Sequence, residues 1–162
     1  MAHCAIKKTK MIERVFVEQS GEKNKKNVFD KKSGALLKTV SIDVTYPYPY
    51  GYILDTAAAD GDQLDCYIIT DKKYAAESIV ECEAVGMVEW FEDNEEDHKI
   101  LMAPSANGCE ITPEVRSRII DFAEHFFDDR PDKKYRLGNF YGVDKAIELI
   151  TNSRTRNFKV EP

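Results

Sequence analysis

The sequence predicts a small β-barrel or strongly curved sheet that is covered by C-terminal helices. Strand-like alternation dominates the first two thirds of the chain, and apolar residues at helical spacing dominate the last third. The chain has 162 residues, of which 43% are hydrophobic and 32% charged. These values are typical of one ordinary globular domain, so we expect residues 1–162 to form a single domain.

The strands are predicted from short runs of β-forming residues that are bounded by turn-forming residues. They are expected at 12–18, 26–30, 35–41, 64–70, 79–91 and 98–103. The segment YPYPYGY at 46–52 contains two prolines, which cannot donate backbone hydrogen bonds to a sheet. We therefore expect it to form a rigid, extended loop.

Two helices are predicted in the last third. Thr112 followed by Pro113 is a favourable start for a helix, since a threonine caps the first turn and a proline is tolerated within it. The apolar residues that follow at helical spacing are Val115, Ile119, Phe122 and Phe126. We expect one helix over 113–129 and a second over about 143–153.

Charge and composition exclude several classes of protein. The chain has 29 acidic and 23 basic residues, a net charge of −6, which argues against broad binding to nucleic acid. No apolar run approaches the roughly 18 residues of a membrane-spanning helix, and no signal peptide is evident. The four cysteines lack the spacing of a zinc site, and reduced thiols fit a cytoplasmic protein. We expect a cytoplasmic protein with no nucleic-acid or membrane partner.

The most specific segment is DGDQLD at 60–65, which places three carboxylates in six residues at the start of a predicted strand. Converging carboxylates repel one another unless a cation binds or one of them is protonated. A divalent metal site therefore fits Asp60, Asp62 and Asp65. From these six residues alone, an exposed acidic turn explains the pattern equally well.

Two further charged segments suggest what the metal would serve. Residues 89–97 contain six acids, among them Glu92 and Asp97, and Lys99 follows on the same side of a predicted strand. Residues 23–38 contain six lysines, most of which suit a solvated hairpin. Acids on one wall and lysines on the other describe a site for a metal and a phosphate.

The order of these segments resembles the soluble family I inorganic pyrophosphatases. The segments that carry the resemblance are Lys26, DKKSGAL, YPYPYGYI, DGDQLD and EDNEEDHK, spread over residues 13–129. The resemblance implies a mainly β fold with α, a five-stranded OB-type barrel flanked by C-terminal helices. It also implies hydrolysis of pyrophosphate to two phosphates with Mg²⁺, for which Mn²⁺ would substitute, in a homo-oligomer.

The resemblance also implies roles for individual residues. Asp62 would act as the base that helps to deprotonate the attacking water. The metal ligands would be Asp60, Asp65, Asp97, Glu92 and Glu18. The contacts to phosphate would be Lys26, Lys38, Tyr50, Lys99 and Tyr46.

Several positions depart from the family pattern and indicate a divergent member. Val28 stands in place of a carboxylate, and Phe126-Phe127 stand in place of a Tyr-Lys pair that would hold phosphate. Lys38 stands in place of an arginine. Lys133, Lys134 and Tyr135 are candidates to take over part of the lost function. Alternative functions are hydrolysis of another diphosphate-containing substrate, or a non-catalytic scaffold that binds metal or phosphate.

Overall fold

We describe residues 11–58, 61–128 and 131–155 of a computed structural model of the protein. The strands are β1 (Ile12–Gln19), β2 (Lys25–Phe29), β3 (Leu36–Ser41), β4 (Tyr50–Ile53), β5 (Leu64–Ile68), β6 (Ile79–Glu92), β7 (Glu95–Glu96), β8 (Lys99–Ala103) and β9 (Tyr135–Tyr141). The helices are α1 (Pro113–Phe126) and α2 (Val143–Asn152).

Five strands close into a ring in the order β1, β4, β5, β8 and β6, and β6 pairs again with β1. The β5–β8 pair is parallel and the other pairs of the ring are antiparallel. The predicted mainly β fold with five central strands and two C-terminal helices is confirmed.

The long strand β6 joins the ring to an extension that the sequence did not predict. Its first residues pair with β1, its middle pairs with β8, and its last residues pair with β7 and β9. The residues of strand β9 are half-buried or exposed, with only a weak alternation. The strand depends on the free edge that β6 presents beyond the residues paired with β1, which local sequence does not reveal.

The tyrosine-rich segment is only partly the loop that we expected, because Tyr50–Ile53 forms β4 between β1 and β5. The two prolines precede the strand and therefore do not interrupt its hydrogen bonds. A side chain at Gly51 would collide with the carbonyl oxygen of Phe16 on β1. Glycine at this position allows β4 to lie close to β1, which fixes the place of Tyr50.

Alternating side chains give the ring two apolar faces. The inner face holds Val15, Val17, Ile53, Leu64, Cys66, Ile68, Ile100 and Met102, packed together with Ala146 and Ile150 of α2. The outer face holds Tyr67, Val88, Trp90 and Leu101, which are packed with Val115, Ile119, Ala123 and Phe127 from the α1 segment. Helix α1 therefore covers the outer face of β5 and β8.

Helix α1 begins as predicted, with the Thr112 hydroxyl accepting a hydrogen bond from the Val115 backbone N–H at 3.2 Å. It ends at Phe126, earlier than predicted, and turns at Phe127. Helix α2 lies close to its predicted range. In the described ranges, neither helix has the length and apolar character needed to cross a membrane.

The pair β2–β3 forms a separate two-stranded sheet beside the ring. Its attachment depends on Asn27, whose backbone N–H donates to Gln19 Oε1 at 2.8 Å and whose Nδ2 donates to the Glu18 carbonyl at 2.8 Å. The Gln19 amide returns a bond to the Asn27 carbonyl, also at 2.8 Å. These bonds hold the lysine-rich hairpin against the end of β1.

Candidate active site

A cavity of about 290 Å³ lies between the outer face of the ring, the β2–β3 hairpin and the C-terminal end of α1. The predicted site residues that line it are Glu18, Lys26, Tyr46, Tyr50, Asp65, Glu92, Asp97 and Lys99. We call this space the main cavity. It brings together residues that are up to 115 positions apart, from Glu18 to Lys133.

Lys99 lies at the centre of the ionic wall of the main cavity. Its Nζ donates to Asp65 Oδ2 at 2.9 Å and to Asp97 Oδ2 at 3.0 Å, and the residue is 3% exposed. Asp65 is the second residue of β5 and Lys99 is the first of the neighbouring parallel strand β8, where Cys66 aligns with Ile100. The shared register places both side chains on the outer face of the ring.

The charges of this group perturb one another. Burial alone would lower the pKa of the Lys99 ammonium, but Asp65 and Asp97 outweigh it and raise that pKa. Burial, reinforced by the negative charges of Asp65 and Glu92, raises the pKa of the Asp97 carboxyl to about 7, although Lys99 opposes the shift. Lys99 therefore stays charged, while Asp97 holds its proton far more tightly than an exposed aspartate does.

Aromatic rings surround the Lys99 ammonium. Its Nζ lies 5.0 Å from the centre of the Trp90 ring and 5.6 Å from that of Tyr50. Burial, together with nearby negative charge, raises the pKa of Tyr50 and of Tyr46 well above the usual value for tyrosine. Both phenols therefore stay neutral at physiological pH and keep a proton to donate.

Glu18 and Lys31 form a second ion pair at the junction of β1 and the hairpin. Lys31 Nζ lies 3.6 Å from Glu18 Oε2, and the Lys31 ammonium lies 5.6 Å from the centre of the Tyr52 ring. Burial raises the pKa of Glu18, and Lys31 partly offsets the shift. Sequence reasoning assigned Lys31 only to a solvated hairpin turn. Its position directly after Asp30, in the turn between β2 and β3, is the feature of the sequence that could have identified it.

Lys133 lines the opposite edge of the main cavity, on the segment between α1 and β9. Its Nζ lies 3.6 Å from Glu92 Oε1 and 3.2 Å from Asp93 Oδ2. Glu92 also accepts a hydrogen bond from the Trp90 indole at 3.1 Å. Of the three candidates that follow α1, Lys133 lines the main cavity, because β9 pairs with the end of β6 and brings this segment beside Glu92.

Three predicted site residues do not line the main cavity as it is described. Asp60 lies outside the described residues. Asp62 is exposed beside the cavity, where its charge acts on Lys31: burial would lower the pKa of Lys31, but Asp65, Glu18 and Asp62 raise it. Lys38 is exposed on β3 and lines a neighbouring cavity instead, because it lies opposite Val28 on the hairpin.

The wall that faces the ions is aromatic and apolar. Val28 and Phe126 lie on it, and the Lys26 ammonium lies 5.1 Å from the centre of the Phe126 ring. Phe127 is 6% exposed and its ring lies 5.2 Å from that of Tyr135. The two phenylalanines therefore pack the end of α1, at the positions where the family pattern led us to expect a phenol and an ammonium.

Four of the predicted carboxylates line one cavity, but their oxygen atoms are not gathered closely enough to bind one metal ion together. In the described ranges, three metal-ligating atoms come within 4.8 Å of one another only at Asp121, Glu124 and His125, all exposed on α1. Lys99 occupies the space between Asp65 and Asp97. The exposed trio is of a kind that is common in helices without any ion.

Comparison with known proteins gives a consistent family. The family model described as inorganic pyrophosphatase matches residues 15–157. An inorganic pyrophosphatase of Aquifex pyrophilus is 30% identical over 133 residues, which cover 75% of each chain. That of Rickettsia typhi is 29% identical over 142 residues, 80% of this chain and 79% of the relative.

Solved structures agree with the sequence comparison. The inorganic pyrophosphatase of Helicobacter pylori aligns with a TM-score of 0.78 at 26% identity, over 86% of this chain and 89% of that chain. The ring of five strands and the covering helices are thus shared with this family, as the order of motifs indicated. The chain belongs to the inorganic pyrophosphatase family.

Proposed function

We propose that the protein hydrolyses inorganic pyrophosphate to two phosphates with Mg²⁺, with Asp62 as the base. The observation that carries the proposal is the charge balance of the main cavity. Among the described residues that line it, four are acidic and four are lysines. The acids are Glu18, Asp65, Glu92 and Asp97, and the lysines are Lys26, Lys31, Lys99 and Lys133.

This balance fits a substrate that enters together with metal. Pyrophosphate carries up to about four negative charges, which Lys31, Lys99 and Lys133 cannot neutralise while they are paired with the acids. Divalent cations on the carboxylates would release lysines for phosphate. The raised pKa of Asp97 supports this, since burial leaves its negative charge poorly compensated even beside Lys99.

The residues fit a divalent metal by type, and four of the carboxylates line the main cavity. Asp65, Asp97 and Glu92 would hold it on the ring wall, with Glu18 on the hairpin side and Asp60 from the preceding loop. When bound, magnesium supplies a more acidic water and neutralises charge on the phosphates. The aromatic residues around the carboxylates limit the access of bulk water, which strengthens each ionic contact.

The chain's own side chains would carry the remaining steps. Asp62, on the loop before β5, takes the proton of the attacking water as the new P–O bond forms. Lys99 and Lys26 neutralise the phosphate that leaves, and the Tyr50 and Tyr46 phenols donate hydrogen bonds to its oxygens. One water is consumed for each phosphoanhydride bond that breaks, and two orthophosphates result.

Phosphate release from pyrophosphate tests the proposal, with magnesium, manganese or a chelator present. We expect metal-dependent turnover that falls about 100-fold or more in Asp62→Asn, since removal of a general base typically costs that much. Asp71→Asn, another exposed loop aspartate, is the matched control and should keep wild-type turnover. Equal background release by the wild type and Asp62→Asn would contradict the proposal and favour a non-catalytic scaffold.

Calorimetry separates metal binding from turnover. We expect Asp65→Asn to lose most of its affinity for magnesium or manganese, because Asp65 faces Lys99 and Asp97 inside the cavity. Affinity equal to that of the wild type would mean that the acidic loop is only a turn.

A further inference from the structure

A second cavity of about 240 Å³ adjoins the main cavity. It lies between the β2–β3 hairpin and the last turn of α1, and Val40, Ile42, Asp43, Lys38 and His125 line it away from the main cavity. Lys26, Val28 and Phe126 line both spaces. The two cavities are therefore neighbours across one partition of three side chains.

The second cavity differs from the main cavity in its chemistry. Its lining combines aliphatic and aromatic surface from Val28, Val40, Ile42 and Phe126, all only half-buried, with the exposed ammonium of Lys38. Asp43 is the one carboxylate among the described residues that line it. Such a space suits an apolar or aromatic group that is attached to an anion, whereas a bare phosphate would leave its apolar surface unused.

The three side chains between the cavities suit the point at which the organic group of such a ligand joins its anionic group. Lys26 projects toward Phe126, 5.1 Å from the ring centre, and so presents a positive charge where the two spaces meet. Val28 and Phe126 offer no charge beside it. An esterified phosphate has one ionisable oxygen fewer than a terminal phosphate and so carries less negative charge. The single ammonium of Lys26, next to apolar surface, matches this lower charge.

We propose that the two cavities together bind a monoester of pyrophosphate, with the diphosphate in the main cavity and its organic group in the second. This inference rests on the proposed phosphoanhydride hydrolysis. Water adds to the terminal phosphorus, the bridging P–O bond breaks, and orthophosphate and a phosphate monoester leave with release of one proton. Lys26, which lines both cavities, contacts the esterified phosphate, and this phosphate is the leaving group.

Binding of non-hydrolysable analogues tests this inference without requiring turnover. Methylenediphosphonate represents pyrophosphate, and its adenosine and isopentenyl monoesters represent a purine and a prenyl source of the organic group. In calorimetry with magnesium, we expect at least one monoester to bind no more than about threefold more weakly than methylenediphosphonate. The tighter monoester identifies the organic group. If both bind more weakly than that, the inference is wrong.

Substitution at Val40 tests whether the organic group occupies the second cavity. Val40→Trp should fill the second cavity and weaken the monoester relative to methylenediphosphonate by about tenfold, whereas Val40→Ala should leave that ratio near the wild-type value. Ile42→Trp is the second variant if Val40→Trp does not fold. An unchanged ratio in the folded tryptophan variant would overturn the inference.

Hydrolysis assays on the same variants separate this inference from the proposed function. Turnover of pyrophosphate without binding of either monoester would sustain the proposed function and overturn this inference. Monoester binding that depends on residue 40, without turnover of pyrophosphate, would sustain the binding site and contradict the proposed function.

Discussion

The two walls of the main cavity differ in how firmly the fold fixes their charges. On the ring wall, Lys99 is 3% exposed and bonds to two carboxylates at 2.9 and 3.0 Å. On the hairpin wall, Lys31 has a side chain that is 40% exposed and pairs with Glu18 at 3.6 Å. Lys26 beside it lies over an aromatic ring.

The difference follows from what holds each wall in place. Asp65 and Lys99 lie on adjacent strands of a closed ring, so their backbone positions are set by hydrogen bonds on both sides. The hairpin is a two-stranded sheet, attached to β1 largely through Asn27 and Gln19. We infer that the ring wall carries the ionic chemistry of the proposed reaction and that the hairpin wall governs which substrates fit.

The largest expected effect comes from removing the ion pairs of Lys99 on the ring wall. Lys99→Met leaves the half-buried carboxylates of Asp65 and Asp97 without the buried ammonium that they share, so we expect the free energy of unfolding to fall by about 3 kcal/mol. Lys31→Met on the hairpin wall is the comparison variant and should cost less than Lys99→Met, because the Lys31 side chain is 40% exposed and only one carboxylate, that of Glu18, loses its partner. Urea unfolding at pH 8 with chelator measures both losses, and similar losses would mean that the two walls do not differ.

A smaller effect concerns pH. Because its pKa is raised to about 7, the Asp97 carboxyl is largely protonated at pH 6 and ionised at pH 8. A metal must displace that proton, so affinity for magnesium should fall with decreasing pH, by up to about tenfold per unit below 7. Calorimetry at pH 6, 7 and 8 measures this slope.

Variants of Asp97 show whether it causes that slope. Asp97→Asn should bind magnesium more weakly at pH 8 and with a flatter pH dependence, whereas Asp71→Asn should behave like the wild type. A slope that is equally steep in Asp97→Asn would assign the titration to another group.

The smallest expected effect comes from adding a charge to the hairpin wall. Val28→Glu adds a carboxylate where Val28 lines both cavities, so we expect magnesium affinity to rise by about threefold to tenfold and monoester binding to weaken. Val28→Gln has nearly the same size as Val28→Glu without the charge and should not raise magnesium affinity. Equal behaviour of the two variants would mean that position 28 is too far from the metal to matter.

Much of the fold was predictable from local pattern. Thr112 and Pro113 mark the start of α1, and the alternation of β1 and the short apolar run of β8 are visible in the chain. Strand β9 was missed because it depends on pairing with β6, and β4 was missed because the prolines before it suggested a loop. In both cases a partner strand decided the structure.

The residues of the candidate site were likewise predicted from the sequence only in part. Asp65, Asp97 and Lys99 were singled out because charged residues at strand ends form a recognisable order along the chain, and the structure brings them into one cavity. The position of Lys31 was missed because a lysine in a hairpin turn is usually solvated. Lys38 was placed with the phosphate contacts, yet it lines the second cavity.

The sequence by itself determined the kinds of charge that this protein carries and their order along the chain, and with them the family. The tertiary structure alone decided which charges meet, because ion pairs such as that of Asp65 and Lys99 join residues far apart in sequence through strand register. It also decided that Phe126 and Phe127 face the ionic wall and that a second cavity opens behind Val28. Those features depend on how the hairpin and α1 dock on the ring, which side-chain packing sets and local sequence does not.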